Sequence, residues 1–99
     1  MTGIHNEATD QLFKTLMNLG SLEECYDLFE DLCTIKELQD LSQRLQVAML
    51  LDQGMKYQDI GAKTGVSPAT ISRVNRCLVY GTGGYRRAIE KIKAAETEK

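Results

Sequence analysis

The chain is poor in residues that interrupt regular structure and in residues that do chemistry. It has one proline, Pro68, and no tryptophan. So little proline argues against long irregular segments and proline-rich linkers. Its one histidine, His5, stands near the N-terminus, and no Ser/His/Asp, Cys/His or paired-carboxylate arrangement is visible. Nucleophilic and acid–base catalysis need such groupings, so the chain does not read as an enzyme.

Cysteine is scarce too. Cys25, Cys33 and Cys77 are odd in number, and no CxxC occurs. That argues against a disulfide framework and a zinc site. Their apolar helical settings predict reduced core residues in a cytoplasmic protein. The longest apolar run, Val47 to Leu51, has five residues, far short of the roughly 18 that span a membrane. The opening "MTGIHNEATDQ" is polar and acidic, unlike a secretory signal. The glycine cluster "GTGG" at Gly81 to Gly84 lacks the GK[ST] ending and preceding strand of a phosphate loop, and reads as a break between helices.

Basic residues are nearly missing from the first half. Met1 to Ser42 holds two lysines, Lys14 and Lys36, against nine acids, a net charge of −7. Gln43 to Lys99 holds ten Lys or Arg against five acids, a net of +5. The plain explanation is two solvated charged faces. The sharper one is an acidic platform carrying a basic working end. With 99 residues the chain is one domain with a limited core, and a second copy is a natural source of added stability.

What the sequence has is helical periodicity throughout. Leu12, Phe13, Leu16 and Met17 mark one face of a helix over Asn6 to Asn18. Gly20 follows as a candidate left-handed stop. Ser21 with Glu24 forms a capping box for a second helix carrying Leu22, Cys25, Tyr26, Leu28, Phe29 and Leu32. Thr34 with Glu37 opens a third, running to about Gln53 with Gly54 as its stop. Ile35, Leu38, Leu41 and Leu45 are its predicted inward row. The stretch "LQVAMLL" is apolar nearly all round, which predicts a helix surrounded by protein, partly by another subunit. Shorter helices follow at about Tyr57 to Thr64 and Ser67 to Tyr80. Tyr85 to about Ala95 is the last helix, with Ala88, Ile89 and Ile92 on one face, and "AAETEK" is expected to fray.

"YQDIGAKTGVSPATISRVNR" carries the most specific pattern. Gly61 lets two short helices cross, and Gly65 suits a turn with positive φ. Ile60, Val66, Ile71 and Val74 are placed to plug the angle between them. Ser67 is a good N-cap and Pro68 a favoured first helical residue. This is a helix-turn-helix. On its second helix Ile71, Val74 and Leu78 share the core side, while Ala69, Ser72, Arg73, Arg76 and Tyr80 face away. Small residues and hydroxyls followed by arginines suit a major groove about 12 Å wide. Lys56, Lys63 and the helix N-terminus would add phosphate contacts. The predicted DNA-facing set is Lys56, Lys63, Ser67, Pro68, Ala69, Thr70, Ser72, Arg73 and Arg76. The plainer alternative is a solvated polar face on a structural helix pair. Arg86, Arg87, Lys91 and Lys93 of the last helix either touch the DNA backbone or pair across a dimer.

"LCTIKELQDLSQRLQVAMLLDQG", followed by a helix-turn-helix containing "ATISR", resembles the Trp repressor family, and most closely its Trp-repressor-related branch of the YerC/YecD type. The likeness covers about Leu32 to Leu78. It implies an all-α, six-helix fold and an intertwined homodimer whose two heads meet successive major grooves of double-stranded DNA. Residues 1–55 would then be the dimerisation core, 56–80 the helix-turn-helix and 81–99 the C-terminal helix. The resemblance also implies a corepressor site. Arg44 and Arg73 match the family's two ligand-holding arginines, and Thr34 a threonine at the rim. A carboxylate between two guanidiniums is sound chemistry, which points to an amino-acid-like effector. Two departures argue against tryptophan itself: Val74 stands where the family has the glycine that makes room for the indole, and Cys77 where it has serine. A plainer role for Arg44 is an ion pair with an acid of the first half.

The reading that results is a cytoplasmic, homodimeric, sequence-specific DNA-binding regulator, a repressor by family, on a palindromic operator and away from membranes. DNA binding that is constitutive or otherwise regulated ranks ahead of control by tryptophan and by any other small-molecule effector. The competing reading is a dimeric protein-interaction module whose helix-turn-helix does not bind DNA.

Overall fold

The computed structural model describes residues 3–97, all of it helix and connecting turn. Six helices follow one another: α1 (Glu7–Met17), α2 (Leu22–Leu32), α3 (Ile35–Asp52), α4 (Tyr57–Thr64), α5 (Pro68–Tyr80) and α6 (Gly84–Thr97). No helix among the described residues is long and apolar enough to cross a membrane. The chain divides into two compact units, Met1–Leu38 and Gln39–Lys99, and α3 runs from one into the other.

In the first unit, helix starts are set by side-chain caps. Asn6 Oδ1 accepts the Thr9 N–H at 2.9 Å, and Ser21 Oγ accepts the Glu24 N–H at 3.1 Å. Glu24 Oε2 reaches back to the Gly20 N–H at 2.6 Å. Gly20 therefore serves as a donor to that carboxylate; its φ is not positive, contrary to the left-handed stop predicted for it. Thr34 and Glu37 form the complete reciprocal box at the start of α3. The Glu37 N–H donates to Thr34 Oγ1 at 3.1 Å, and the Thr34 N–H donates to Glu37 Oε1 at 2.9 Å. Hydrogen bonding to the carboxyl from Thr34, by its backbone N–H first and its hydroxyl second, holds Glu37 below the usual glutamate range.

Neither α1 nor α2 contains a buried residue. Leu12, Leu16, Leu28 and Phe29 are half-buried, whereas Phe13, Met17 (83% exposed), Leu22, Tyr26 and Leu32 face outward. The predicted inward row of α3 behaves the same way. Ile35 is 79% exposed, Leu41 and Leu45 are exposed, and Leu38 alone is half-buried. A single chain leaves these apolar side chains uncovered.

The second unit holds the core. Val47, Ala48 and Leu50 of α3 cluster with Ile60, Val66, Ile71, Val74, Leu78 and Ile89. The all-round apolar stretch of α3 is thus covered largely within its own unit, with Met49 and Leu51 packed half-buried at the margin. The exposed apolar positions on this helix are Ile35, Leu41 and Leu45, the last being the first residue of that stretch. Gly54 ends α3 at φ +87°, with its N–H on Leu51 O at 3.0 Å and the Met55 N–H on Leu50 O at 3.1 Å. The last helix is held by buried Ile89 and by Lys93 Nζ on Asp52 Oδ2 at 2.6 Å. It begins at Gly84 and extends to Thr97, whose hydroxyl donates to Lys93 O at 2.9 Å. Helix therefore reaches further than Ala95; of the terminal stretch expected to fray, Glu98 and Lys99 lie outside the described residues, as do Met1 and Thr2 of the N-terminal segment.

The cysteines are free thiols, but none is a core residue: Cys25 and Cys33 are half-buried and Cys77 is exposed. Their spacing on helix faces suggested burial that this chain alone does not supply. Among the described residues no group of three or more His, Cys, Asp or Glu is placed to hold a metal.

Two glycines separate by their surroundings. A Cβ on Gly61 would sit 3.7 Å from Val66 O and 3.9 Å from Ile71 Cδ1, ordinary contact distances. A Cβ on Gly81 would fall onto the Cys77 carbonyl. Gly61→Ala is expected to be neutral or to stabilise by up to ~1 kcal/mol through helix propensity. Gly81→Ala is expected to cost about 1–3 kcal/mol through overpacking. Urea denaturation of the two variants checks this, and equal effects would contradict it. The lowered Glu37 carboxyl gives a second outcome. Its stabilising contribution is complete above the unfolded glutamate range and is lost as pH falls through the folded midpoint. The protection factor of the Thr34 amide, corrected for the intrinsic exchange rate, should therefore fall in that acidic window, and Glu37→Gln should flatten the dependence.

Candidate nucleic-acid interface

Helices α4 and α5 meet at a turn built from three devices. Gly65 adopts φ +75° and ψ 5°, the left-handed conformation that glycine takes without steric cost. Its N–H donates to Gly61 O at 2.9 Å. Thr64 braces the exit, its hydroxyl donating to Ile60 O at 2.7 Å and accepting the Val66 N–H at 3.2 Å. Nothing in the spacing of the motif singled out Thr64. Its signal was only a hydroxyl one residue before the glycine.

Ser67 then starts α5. Its extended backbone leads into Pro68 at the first helical turn, and its Oγ accepts the Thr70 N–H at 3.2 Å. Below the turn, Ile60 (0% exposed), Val66, Ile71, Val74 and Leu78 close the angle between the helices, as the sequence pattern predicts. The crossing at Gly61 is close but leaves room for a methyl, so glycine is less strictly required there than its position suggests.

With that stripe buried, the opposite side of α5 faces water. Pro68, Ala69, Ser72, Arg73 and Arg76 are exposed, and Tyr80 is 84% exposed. Thr70 is half-buried, and its Oγ1 accepts from Ser67 Oγ at 3.1 Å. Lys56 is the N-cap residue of α4 with no side-chain capping bond, and Lys63 lies in its last turn. Both lysines are exposed. Among the described residues none of Lys56, Lys63, Arg73 and Arg76 has a hydrogen-bonded or ion-paired side chain. An exposed carboxylate, Asp59, shares α4 with the lysines. The predicted set thus divides into exposed cations and small residues on the outer side, and Ser67 and Thr70 engaged in the cap.

Arg44 of α3 and Arg73 of α5 line one cleft of about 200 Å³, together with Val74, Cys77 and Tyr85. Arg44 has no ion partner among the described residues of its own unit. Thr34 is engaged in the α3 capping box. Tyr85 had no sequence signal for this role.

With this geometry in view, the family described as Trp repressor protein matches residues 7–93. The uncharacterised protein YerC of Bacillus subtilis (strain 168) is 50% identical over 95 residues, which is 96% of this chain and 91% of the relative. A TrpR-like protein from Eubacterium eligens ATCC 27750 superposes with a TM-score of 0.88 at 50% identity, covering 91% of this chain and 93% of that one. A Staphylococcus aureus structure described as a candidate Trp repressor gives 0.88 at 43% identity, covering 94% and 96%.

The cap that starts α5 can be tested directly. Ser67→Ala removes the acceptor for the Thr70 N–H and is expected to cost about 1 kcal/mol. Denaturation should show the loss, and Ser67→Asp, which keeps an acceptor, should largely restore it.

Proposed function

The chain belongs to the Trp repressor family, and from that premise we propose that it is a sequence-specific DNA-binding regulator of transcription, acting in the cytoplasm as a repressor. The matched family is of regulator type and not an enzyme family. The observation that carries the proposal is the outer side of α5. It is small at its start, cationic in its middle, and its two arginines have no partners among the described residues.

In this reading Pro68, Ala69 and Ser72 approach base edges with Arg76. Lys56, Lys63, Ser67, Thr70 and the α5 N-terminus lie against phosphates. Arg73 stands between this surface and the Arg44 cleft. Residues 1–55 form the dimerisation core, 56–80 the reading head and 81–99 the closing helix. Exposed Phe13, Met17, Leu22, Ile35, Leu41 and Leu45 supply the apolar area a second copy would cover. A two-fold dimer implies a palindromic operator with half-sites about 34–36 Å apart.

The expected behaviour is duplex binding that weakens steeply with salt, log K falling by roughly 0.9 per phosphate neutralised. Arg76→Ala should weaken specific binding by about 1–3 kcal/mol if it reads a base, and Lys63→Ala should weaken all sequences alike and reduce the salt slope by about one. Retardation of duplexes selected from a random library provides the measurement. No retardation at low salt, with sedimentation confirming a dimer, would favour an interaction module instead.

A further inference from the structure

The outer side of α5 continues past its arginines. At about 100° per residue, Arg76 and Tyr80 each fall within about 20° of a line drawn along the helix through Ala69. That line runs opposite the buried stripe of Ile71, Val74 and Leu78. At about 1.5 Å per residue, Arg76 lies about 10 Å and Tyr80 about 16 Å beyond Ala69. Tyr80 is the last residue of the helix and is 84% exposed. Its phenol makes no hydrogen bond among the described residues. Tyrosine pairs an apolar ring with a hydroxyl that takes a partner once it is covered; here both are left in water. The surrounding chain is free of carboxylates. The thirty residues from Ile60 to Ile89 contain no Asp or Glu, and they include Lys63, Arg73, Arg76, Arg86 and Arg87. An anion that approaches this segment meets attraction without local repulsion.

We infer that Tyr80 is a phosphate-contacting residue of the DNA interface, its hydroxyl donating to the sugar–phosphate backbone at the rim of the major groove. This contact presupposes the regulator reading and extends its surface to the far end of α5. The length of the line decides what Tyr80 meets. A major groove is about 12 Å wide, less than the about 16 Å that separates Ala69 from Tyr80. With Ala69 at the base edges, the far end of the same line has left the groove floor and stands against the phosphate wall. Tyrosine hydroxyls are among the groups that bind phosphates, and such contacts fix register without reading sequence. An uncharged donor differs from Lys63 in one measurable respect. A lysine at a phosphate releases counter-ions, so its loss lessens the salt dependence. A hydroxyl releases none, so its loss weakens binding alike at every salt concentration.

The test uses the full chain with a duplex selected from a random library and with unrelated duplexes. Tyr80→Phe deletes only an exposed hydroxyl and should keep the melting temperature and sedimentation behaviour of the wild type. It should weaken binding by about tenfold on all duplexes alike, the loss of one hydrogen bond to a charged acceptor. The slope of log K against log salt should stay that of the wild type, whereas Lys63→Ala lowers it by about one. Single methylphosphonates placed along the selected duplex, each removing one charged acceptor, locate the contact. At one position per half-site the wild type should lose several-fold more affinity than Tyr80→Phe. Equal binding by the wild type and folded Tyr80→Phe would overturn the assignment. So would a loss confined to one sequence, or a change in self-association in place of DNA affinity. A wild-type protein that retards no duplex at low salt overturns the regulator reading together with this contact, so the wild-type measurement alone tells the two failures apart.

Discussion

One stripe of side chains governs the orientation of α5. Ile71, Val74 and Leu78 are each no more than 6% exposed, and they share the cluster with Ile60, Val66 and Val47. Burial of each such side chain favours the packed state by about 1.5–3 kcal/mol. A thirteen-residue helix has no second arrangement that hides all three. Once they are inside, the direction of Ala69, Ser72, Arg73 and Arg76 follows. The glycine turn at Gly65 and the Ser67 cap set where the helix begins; the stripe sets which way it faces.

The same stripe links the outer surface to the cleft of Arg44 and Arg73. Val74 is a core residue and a cleft wall, so the shape of the cleft is a by-product of how α5 is anchored. Arg73, next to it, is exposed and also lines the cleft. One residue step on a helix turns by about 100°. That step carries the chain from a surface cation to a buried aliphatic side chain, and both border one space.

Much of this was legible in the residues because helix periodicity, capping and turn chemistry are local. Ser21, Thr34 and Ser67 cap the helices they were expected to cap. Gly54 and Gly65 take positive φ. The six helices fall where the apolar spacing puts them, with α6 longer than expected. The misjudged features depend on what packs against what. Gly20 was misread because a carboxylate four residues on takes its N–H. Cys77 has an apolar neighbourhood in sequence, yet it lies on the cleft side of α5. Ile35, Leu41 and Leu45 form a correct apolar row, but amphipathicity cannot say whether the same chain or another covers it. Tyr85 joins Arg44 and Arg73 only through the crossing of three helices, which no short motif encodes.

The cap of α5 limits the polar vocabulary of its leading edge. Ser67 directs its hydroxyl hydrogen to Thr70 Oγ1 and receives the Thr70 N–H. Two of the three hydroxyls at the start of this helix are therefore engaged with each other, and Ser72 alone keeps its full capacity for outside partners. What remains beside it is a methyl, a proline ring and two guanidiniums. In the proposed regulator reading, such a surface would distinguish duplexes more by contour and by acceptors grouped in pairs than by a row of separate hydrogen bonds. The oxygens that stabilise the start of this helix are thus set apart from the one left open to an outside partner.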